Sequence, residues 1–357
     1  MGFSLEDWGW DAGWADAFAP DAALKLLPAR VAAQQRGLLT VATESGMRPA
    51  RTTGAMRHKA TGTADLPAVG DWIACEANPG EETLTVRRIL PRRTKLSRKA
   101  AGETLEEQII AANLDAVVIM TALNADFNLR RLERFLAVVR ESGAEPIVAL
   151  NKADACAEPG PYLGDARTAA GDAAVIAISA KTGDGLAVLE RWIKPGRTVG
   201  FVGTSGVGKS TLVNRLLGRE ALKTKETRAG DERGRHTTTH RELFVLDGGG
   251  VLLDTPGMRE MAFWEADQGF QESFADIETL AEQCRFKDCV HASEPGCAVK
   301  AAIESGSIPA ARLESMNKLK KEMEFQKRRV DPAAAAETKR QWKSINKSLK
   351  KHPKYKR

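Results

Sequence analysis

Residues Gly203-Thr204-Ser205-Gly206-Val207-Gly208-Lys209-Ser210 fit G-x-x-x-x-G-K-[ST] between an apolar run, Thr198–Val202, and a helical run carrying Leu212, Val213, Leu216 and Leu217. Strand, glycine loop and helix in that succession form the setting in which backbone N–H groups curl around phosphate oxygens at a helix N-terminus. The motif commits its surroundings to alternating strands and helices, hence to a mostly parallel sheet covered on both faces. On this reading Lys209 reaches the β- and γ-phosphates and Ser210 ligates Mg²⁺, with Thr211 beside it in the nucleotide-contacting set.

Three further tetrapeptide-scale signals fall at the ends of predicted strands. Asp254-Thr255-Pro256-Gly257 closes the run Val251–Leu253. Its carboxylate can hold Mg²⁺ through water, and the Gly257 N–H can sense the γ-phosphate. Asn151-Lys152-Ala153-Asp154 ends Pro146–Leu150, and Ser179-Ala180-Lys181 ends Ala174–Ile178. Together they predict a guanine pocket. Asp154 accepts from guanine N1–H and the 2-amino group, a pairing adenine cannot offer, and an unpaired buried carboxylate is costly. Lys152 lies over the base, Asn151 braces the loops, and the Ala180 N–H meets the guanine O6.

The order of these signals is unusual, because the base-reading pair precedes the phosphate loop. Nucleotide sites form outside the carboxyl ends of parallel strands, so a permuted chain can build the same constellation. Between Gly218 and Arg241 lies a polar stretch containing Arg233-Gly234-Arg235-His236-Thr237-Thr238-Thr239, the natural first switch. Thr239 is the favoured Mg²⁺ ligand, with Thr238 as the alternative. Met258 stands where many GTPases carry a water-positioning glutamine, and a thioether cannot orient water. His236 is the nearest substitute in sequence; a surface loop histidine is an equally consistent reading of it.

Around this centre the texture differs. The short runs Gly37–Thr43, Ala50–Met56, Asp71–Glu76 and Thr83–Leu90 predict a small β-barrel threaded with basic residues, among them Arg48, Arg51, Arg57, His58, Lys59, Arg87, Arg88, Arg92 and Arg93. An oligonucleotide-binding barrel and an SH3-like barrel would give nearly the same pattern. Beyond Phe263, Cys284-x4-Cys289-x-His291-x5-Cys297 supplies three thiolates and an imidazole, the donor set of a closed, structural tetrahedral zinc site. The other two cysteines, Cys75 and Cys156, stand apart, which argues against a disulfide framework. The formal net charge of +6 conceals an asymmetry: residues 312–357 carry 16 Lys or Arg against 5 Asp or Glu. That tail is an electrostatic footprint for a polyanion, RNA being favoured over a merely solubilising role. No run approaches the ~20 apolar residues that span a bilayer, and the acidic, Trp-rich start is unlike a signal peptide. A cytoplasmic chain without membrane partners is expected.

The permuted order of N-K-A-D, S-A-K-T-G, G-T-S-G-V-G-K-S-T, G-R-H-T-T-T and D-T-P-G, followed by the Cys3His cluster, resembles the circularly permuted GTPases of the RsgA (YjeQ) family. The resemblance runs from about Arg36 to the end of the zinc segment. After residues 1–34, which read as an extension, it implies three domains: an OB-fold RNA-binding barrel over 35–104, a circularly permuted α/β P-loop GTPase domain over 105–265, and an α-helical zinc-binding domain, with the basic tail, over 266–357. It further implies one structural zinc per chain, Mg²⁺, GTP as substrate, and hydrolysis stimulated by the small ribosomal subunit and its rRNA during late maturation. His236 falls on the family's proposed catalytic histidine and Met258 on its hydrophobic residue after D-T-P-G. A monomer is expected. The competing expectation is a GTP-dependent RNA-binding factor acting on another ribosomal particle with little intrinsic turnover.

Overall fold

The computed structural model describes residues 4–35, 38–99, 107–124, 127–204, 206–220, 241–254, 273–292 and 294–330. A 3₁₀ turn (Glu6–Trp8) and helix α1 (Ala12–Ala22) lead into strands β1 (Leu27–Gln35), β2 (Leu38–Thr43) and β3 (Gly46–Thr52). Helix α2 (Gly54–Lys59) follows, then β4 (Trp72–Glu76) and β5 (Leu84–Ile89). The order β1-β2-β3-β5-β4 closes through a β4–β1 pairing, giving a five-stranded barrel that leaves these strands no open edge. Val31, Val41, Ala50, Ile73, Leu84 and Val86 fill its interior.

Two departures from expectation concern this barrel. Its first strand begins at Leu27, inside the stretch read as an extension, because Pro28 and Arg30 interrupt the apolar pattern. And the basic residues near its end, read from sequence only as charge threaded through the barrel, are paired with carboxylates. Arg87 pairs with Glu76, Arg88 with the buried Asp21, Arg92 with Asp71 and Arg93 with Asp11. Two of those carboxylates belong to α1 and its cap, so these arginines clamp the Trp-rich start onto the barrel. Trp10 packs edge-on to Trp72 with ring centroids 4.7 Å apart, and Arg93 lies 4.1 Å over Trp14. Arg51, Arg57 and Lys59, on β3 and α2, are exposed, with the exposed His58 among them.

A separate antiparallel hairpin, β6 (Lys95–Lys99) with β7 (Glu107–Ala112), carries the chain into the central sheet. There β8 (Ala116–Ala122), α3 (Leu129–Glu141), β9 (Glu145–Asn151), α4 (Gly160–Ala170), β10 (Ala174–Ala177), α5 (Leu186–Leu189), β11 (Thr198–Gly203) and α6 (Lys209–Leu216) alternate. After them come β12 (Arg241–Val245) and β13 (Val251–Asp254). Strands β10-β9-β8-β11-β13 are parallel, and β12 lies antiparallel on β13. The side chains of β8, β9, β11 and β13 are mostly apolar and buried, as the middle of a sheet covered on both faces requires, while β10 and β12 are largely half-buried. β12 also pairs with β1 through Ala33↔Glu242 and Gln34↔Arg241, which joins the barrel to the sheet edge. Helices α7 (Ala275–Ala281), α8 (Ala298–Glu304) and α9 (Ala310–Val330) finish the described chain. Among the described residues no helix is long and apolar enough to cross a membrane.

Buried guanidinium groups seal both seams. Arg30 donates to the carbonyls of Trp8, Gly70 (3.4 Å) and Asn113 (3.2 Å), so one side chain ties the N-terminal turn, the barrel and the entry to β8. Burial pulls it down to about 10, against the field of Asp115 and Asp71, so it remains charged at neutral pH. Arg312 on α9 donates to Glu133 on α3 (3.0 Å), to Asp276 on α7 (2.7 and 2.9 Å) and to the Ser273 carbonyl (2.8 Å). Truncating Arg30 to Ala removes three buried bonds at once, and a loss of about 3 kcal/mol is expected. Urea unfolding measures it; a change within about 0.5 kcal/mol, ordinary for a surface substitution, would show the seam to be held elsewhere.

Candidate functional site

The parallel strands bring their carboxyl ends to one edge, and the loops that leave those ends meet there. Asn151 terminates β9, with Lys152 next in a left-handed conformation (φ 68°) that turns the chain sharply into Ala153–Ala155. Ile178 and Ser179 follow β10, the glycine loop follows β11, and Asp254 ends β13. The register sets Asp254 opposite Phe201, two residues short of Gly203, so the β13 terminus flanks the glycine loop.

One side chain joins three of these loops. Asn151 is buried; its Oδ1 accepts from the Ala180 N–H at 2.8 Å, and its Nδ2 donates to the Val207 carbonyl at 2.7 Å. Ser179 Oγ donates to Asp154 Oδ1 at 2.7 Å, and the Ala153 N–H donates to the Ile178 carbonyl at 3.1 Å. The Asn151–Asp154 and Ser179–Lys181 loops therefore form one braced surface, with Asp154 exposed at its rim and Lys152 half-buried beside it. The exposed Lys181 lies in the same loop. Lys209, at the first turn of α6, turns back across the glycine loop and donates to the carbonyls of Gly203 (2.7 Å) and Thr204 (2.8 Å). Ser210 and Thr211 follow it in that turn. Gly206 and Gly208 have positive φ; at Gly208 (φ 103°) a Cβ would lie 2.2 Å from Asn151 Nδ2, so only glycine lets the loop close on the asparagine.

Of the residues named from sequence, the structure thus brings together Asn151, Lys152, Asp154, Ser179, Ala180, Lys181, Gly203, Thr204, Gly206, Val207, Gly208, Lys209, Ser210, Thr211 and Asp254. Ser205, His236, Thr238, Thr239, Gly257 and Met258 lie outside the described residues.

A second centre lies in the C-terminal unit. One donor atom from each of Cys284, Cys289, His291 and Cys297 falls within 4.8 Å of all the others. Cys284 Sγ is 3.7 Å from His291 Nδ1 and 3.9 Å from Cys297 Sγ, and His291 Nδ1 is 3.4 Å from Cys297 Sγ. Tetrahedral zinc with Zn–S near 2.3 Å and Zn–N near 2.05 Å has edges of about 3.5–3.8 Å, so the donors fit such an ion. Desolvation raises the Cys284 thiol, but N–H groups of Val299 and Ala298 at the start of α8 outweigh it and hold the thiol below its ordinary range. The cluster could bind a metal.

Sequence reasoning did not find the partners that hold these groups in place. Arg215, Glu133 and Arg312 carry no local motif, and each acts on residues distant in sequence, whereas Asp184 acts within its own turn on Ser179 and Thr182.

A phosphate loop on a central parallel strand, served by base-reading loops that precede it in the chain, defines a circularly permuted P-loop GTPase. The RsgA GTPase family model matches residues 89–264. The chain is 43% identical over 353 residues to "Small ribosomal subunit biogenesis GTPase RsgA" of Opitutus terrae, covering 96% of each chain. It is 45% identical over 343 residues to the protein of that name from Streptomyces coelicolor, covering 95% of this chain and 92% of that one. Among solved structures it is similar to YjeQ from Thermotoga maritima (TM-score 0.62, 25% identity, 82% of this chain and 97% of that one). It is also similar to YloQ, described as a circularly permuted GTPase (TM-score 0.59, 25% identity, 84% and 96%). The chain belongs to the RsgA GTPase family, and it is a GTP hydrolase.

Substituting Gly208 by Ala forces a Cβ against the Asn151 amide. At least tenfold weaker GTP binding is expected, roughly the 1.4 kcal/mol or more that such backbone strain costs. Titration with a fluorescent GTP analogue checks this; unaltered affinity would mean that the Asn151–Val207 link is dispensable.

Proposed function

We propose that this GTPase acts on the small ribosomal subunit, hydrolysing GTP as a late maturation step and leaving when hydrolysis is complete. The carrying observation is the extent of likeness: near full-length similarity to proteins named for small-subunit biogenesis includes the barrel and the Cys3His segment as well as the GTPase core. A cytoplasmic, monomeric protein accords with that reading.

Within the site, Asn151, Lys152, Asp154, Ser179, Ala180 and Lys181 take the guanine. Gly203–Ser210 cradles the phosphates, with Thr211 completing the contact set. Lys209 neutralises charge that builds on the β–γ bridge and the γ-phosphate. Its present bonds to two loop carbonyls hold the ammonium at the loop mouth, preorganised for that duty. Ser210, Thr239 and Asp254 would hold Mg²⁺, which spreads the developing phosphoryl charge when bound. His236 orients the attacking water in place of a glutamine, and Gly257 reads the γ-phosphate.

The flanking units supply RNA contact. We read the barrel, 35–104 with β1 added from Leu27, as an OB-fold; its 1-2-3-5-4 strand order supports this. Arg51, Arg57, His58 and Lys59 form its rRNA-facing side, with the basic tail as a second contact. Residues 105–265 make up the GTPase domain, and 266–357 a domain clipped by one structural zinc through Cys284, Cys289, His291 and Cys297.

GTP turnover measured alone, with purified small subunits and with large subunits tests the assignment. Stimulation on the order of tenfold or more, about 1.4 kcal/mol from the barrier, is expected from small subunits only. Equal stimulation by both particles would favour a generic RNA-binding factor, and none from small subunits would overturn the reading. For the clip, elemental analysis should find about one zinc per chain, falling well below half in Cys297→Ser. Full zinc content in that variant would remove Cys297 from the ligand set.

A further inference from the structure

We propose that Arg215 is a positioning residue for guanine recognition, locking the loop that follows Ser179-Ala180 onto the helix that carries the phosphate-binding lysine. The inference rests on the base-pocket reading above and assigns the pocket a residue outside every motif.

Arg215 occupies the last turn of α6, six residues after Lys209, about 9 Å along the helix axis at 1.5 Å per residue. Its Nη1 donates to the Lys181 carbonyl at 2.7 Å and its Nη2 to the Thr182 carbonyl at 2.6 Å. A planar guanidinium can engage two successive carbonyls at once; an ammonium is a point donor without that fork. The loop on the receiving side is shaped for this approach. Gly183 has φ 98°, and a Cβ there would stand 2.6 Å from Arg215 Nη2 and 2.9 Å from Nε. The guanidinium therefore rests directly against the glycine backbone.

The loop's other ties are internal or run to the Asn151–Asp154 loop. Thr182 N–H donates to Ser179 Oγ at 3.0 Å, Gly183 N–H to the Ser179 carbonyl at 2.8 Å, and Ser179 N–H to the Asp184 carbonyl at 2.9 Å. These bonds define the turn's shape, while Ser179 and Ala180 are tied to Asp154 and Asn151. Those contacts fix the loop relative to the other base-reading segment. Arg215 fixes it relative to α6, and so sets the distance between the Ala180 N–H, offered to the base, and Lys209, offered to the phosphates. A nucleotide must satisfy both ends together, so an error in that distance is felt as lost affinity for the whole molecule.

Because the guanidinium is exposed, its two bonds compete with water, and the effect should be moderate. In Arg215→Ala, GDP affinity is expected to fall about threefold to tenfold, with KM for GTP rising in parallel. The loss should fall on these quantities rather than on turnover at saturating GTP. Arg215→Lys should recover only part of it, having one point donor for two carbonyls. A brace serving only the stability of α6 would lower the melting temperature and leave GDP affinity of the folded fraction intact; that outcome overturns the proposal. Asp154→Asn is measured beside it on GTP and xanthosine triphosphate. A shift toward xanthosine triphosphate with unchanged affinity in Arg215→Ala refutes the role of Arg215 alone. No shift in Asp154→Asn refutes the base pocket itself. Should Arg215→Ala fold poorly, Gly183→Ala displaces the guanidinium from the opposite side. Native-like GDP affinity in that variant would equally count against the lock.

Discussion

The site depends on the two-sided chemistry of a single buried amide. Asn151 must accept a hydrogen bond from the Ala180 N–H and donate one to the Val207 carbonyl, partners 29 and 56 residues away in the chain. An aspartate of the same shape would face the Val207 carbonyl with a second acceptor, and a leucine would leave a buried N–H and a buried C=O unpaired. Only asparagine satisfies both at that length. Since the link acts through space, it is indifferent to which loop comes first along the chain. That indifference makes the permuted order physically unremarkable: the strands need only end at one edge, and β9, β10 and β11 do.

The same distinction between local and distant causes explains what could be read from the sequence. Central strands such as β8 and β11 were legible as continuous apolar runs, since parallel strands covered on both faces tolerate little else. The glycine loop, the base-reading pair and the Cys3His spacing were legible because each motif supplies its own chemistry. β1 was not. Leu27-Pro28-Ala29-Arg30 resembles a loop, and Arg30 can enter a strand interior only because Trp8, Gly70 and Asn113 bring carbonyls to it from elsewhere. Arg88 and Arg93 read only as basic residues threaded through the barrel, and their pairing was hidden for the same reason: their carboxylate partners lie 67 and 82 residues earlier in the chain. The β6–β7 hairpin was not read from the sequence: the boundary drawn between 104 and 105 falls between its two strands.

Buried guanidinium groups hold the units together in two different ways. Arg30 is met by carbonyls, with carboxylates of Asp71 and Asp115 acting only at longer range, so desolvation dominates and its pKa falls. Arg312 is met by carboxylates directly, and there burial instead raises the Glu133 carboxyl above its ordinary range, while Arg312 and Ser315 pull it back. Neither arrangement is an economical way to gain stability, since apolar residues of similar volume would often do as well. What the forked donors add is direction. Arg30 engages groups from three segments and Arg312 from two, at fixed angles that apolar packing does not enforce. Arg312 does so on Ser273 and Asp276, at the point where the described chain resumes after residue 254.

The topology also decides what lies to either side of the glycine loop. The sheet runs β10-β9-β8-β11-β13-β12 and then continues into β1 of the barrel. The base-reading loops leave β9 and β10 at one end, and the barrel adjoins the other end, beyond Asp254. β12 is the junction: it follows the stretch read as the first switch, pairs with β13 on one side and β1 on the other, and its Arg241 donates to the Ile109 carbonyl of β7 at 3.2 Å. β12 is thus held to both the GTPase sheet and the barrel. With the order permuted, the chain leaves the barrel by way of the β6–β7 hairpin, enters the sheet at β8, and comes back to the barrel's edge only when it forms β12.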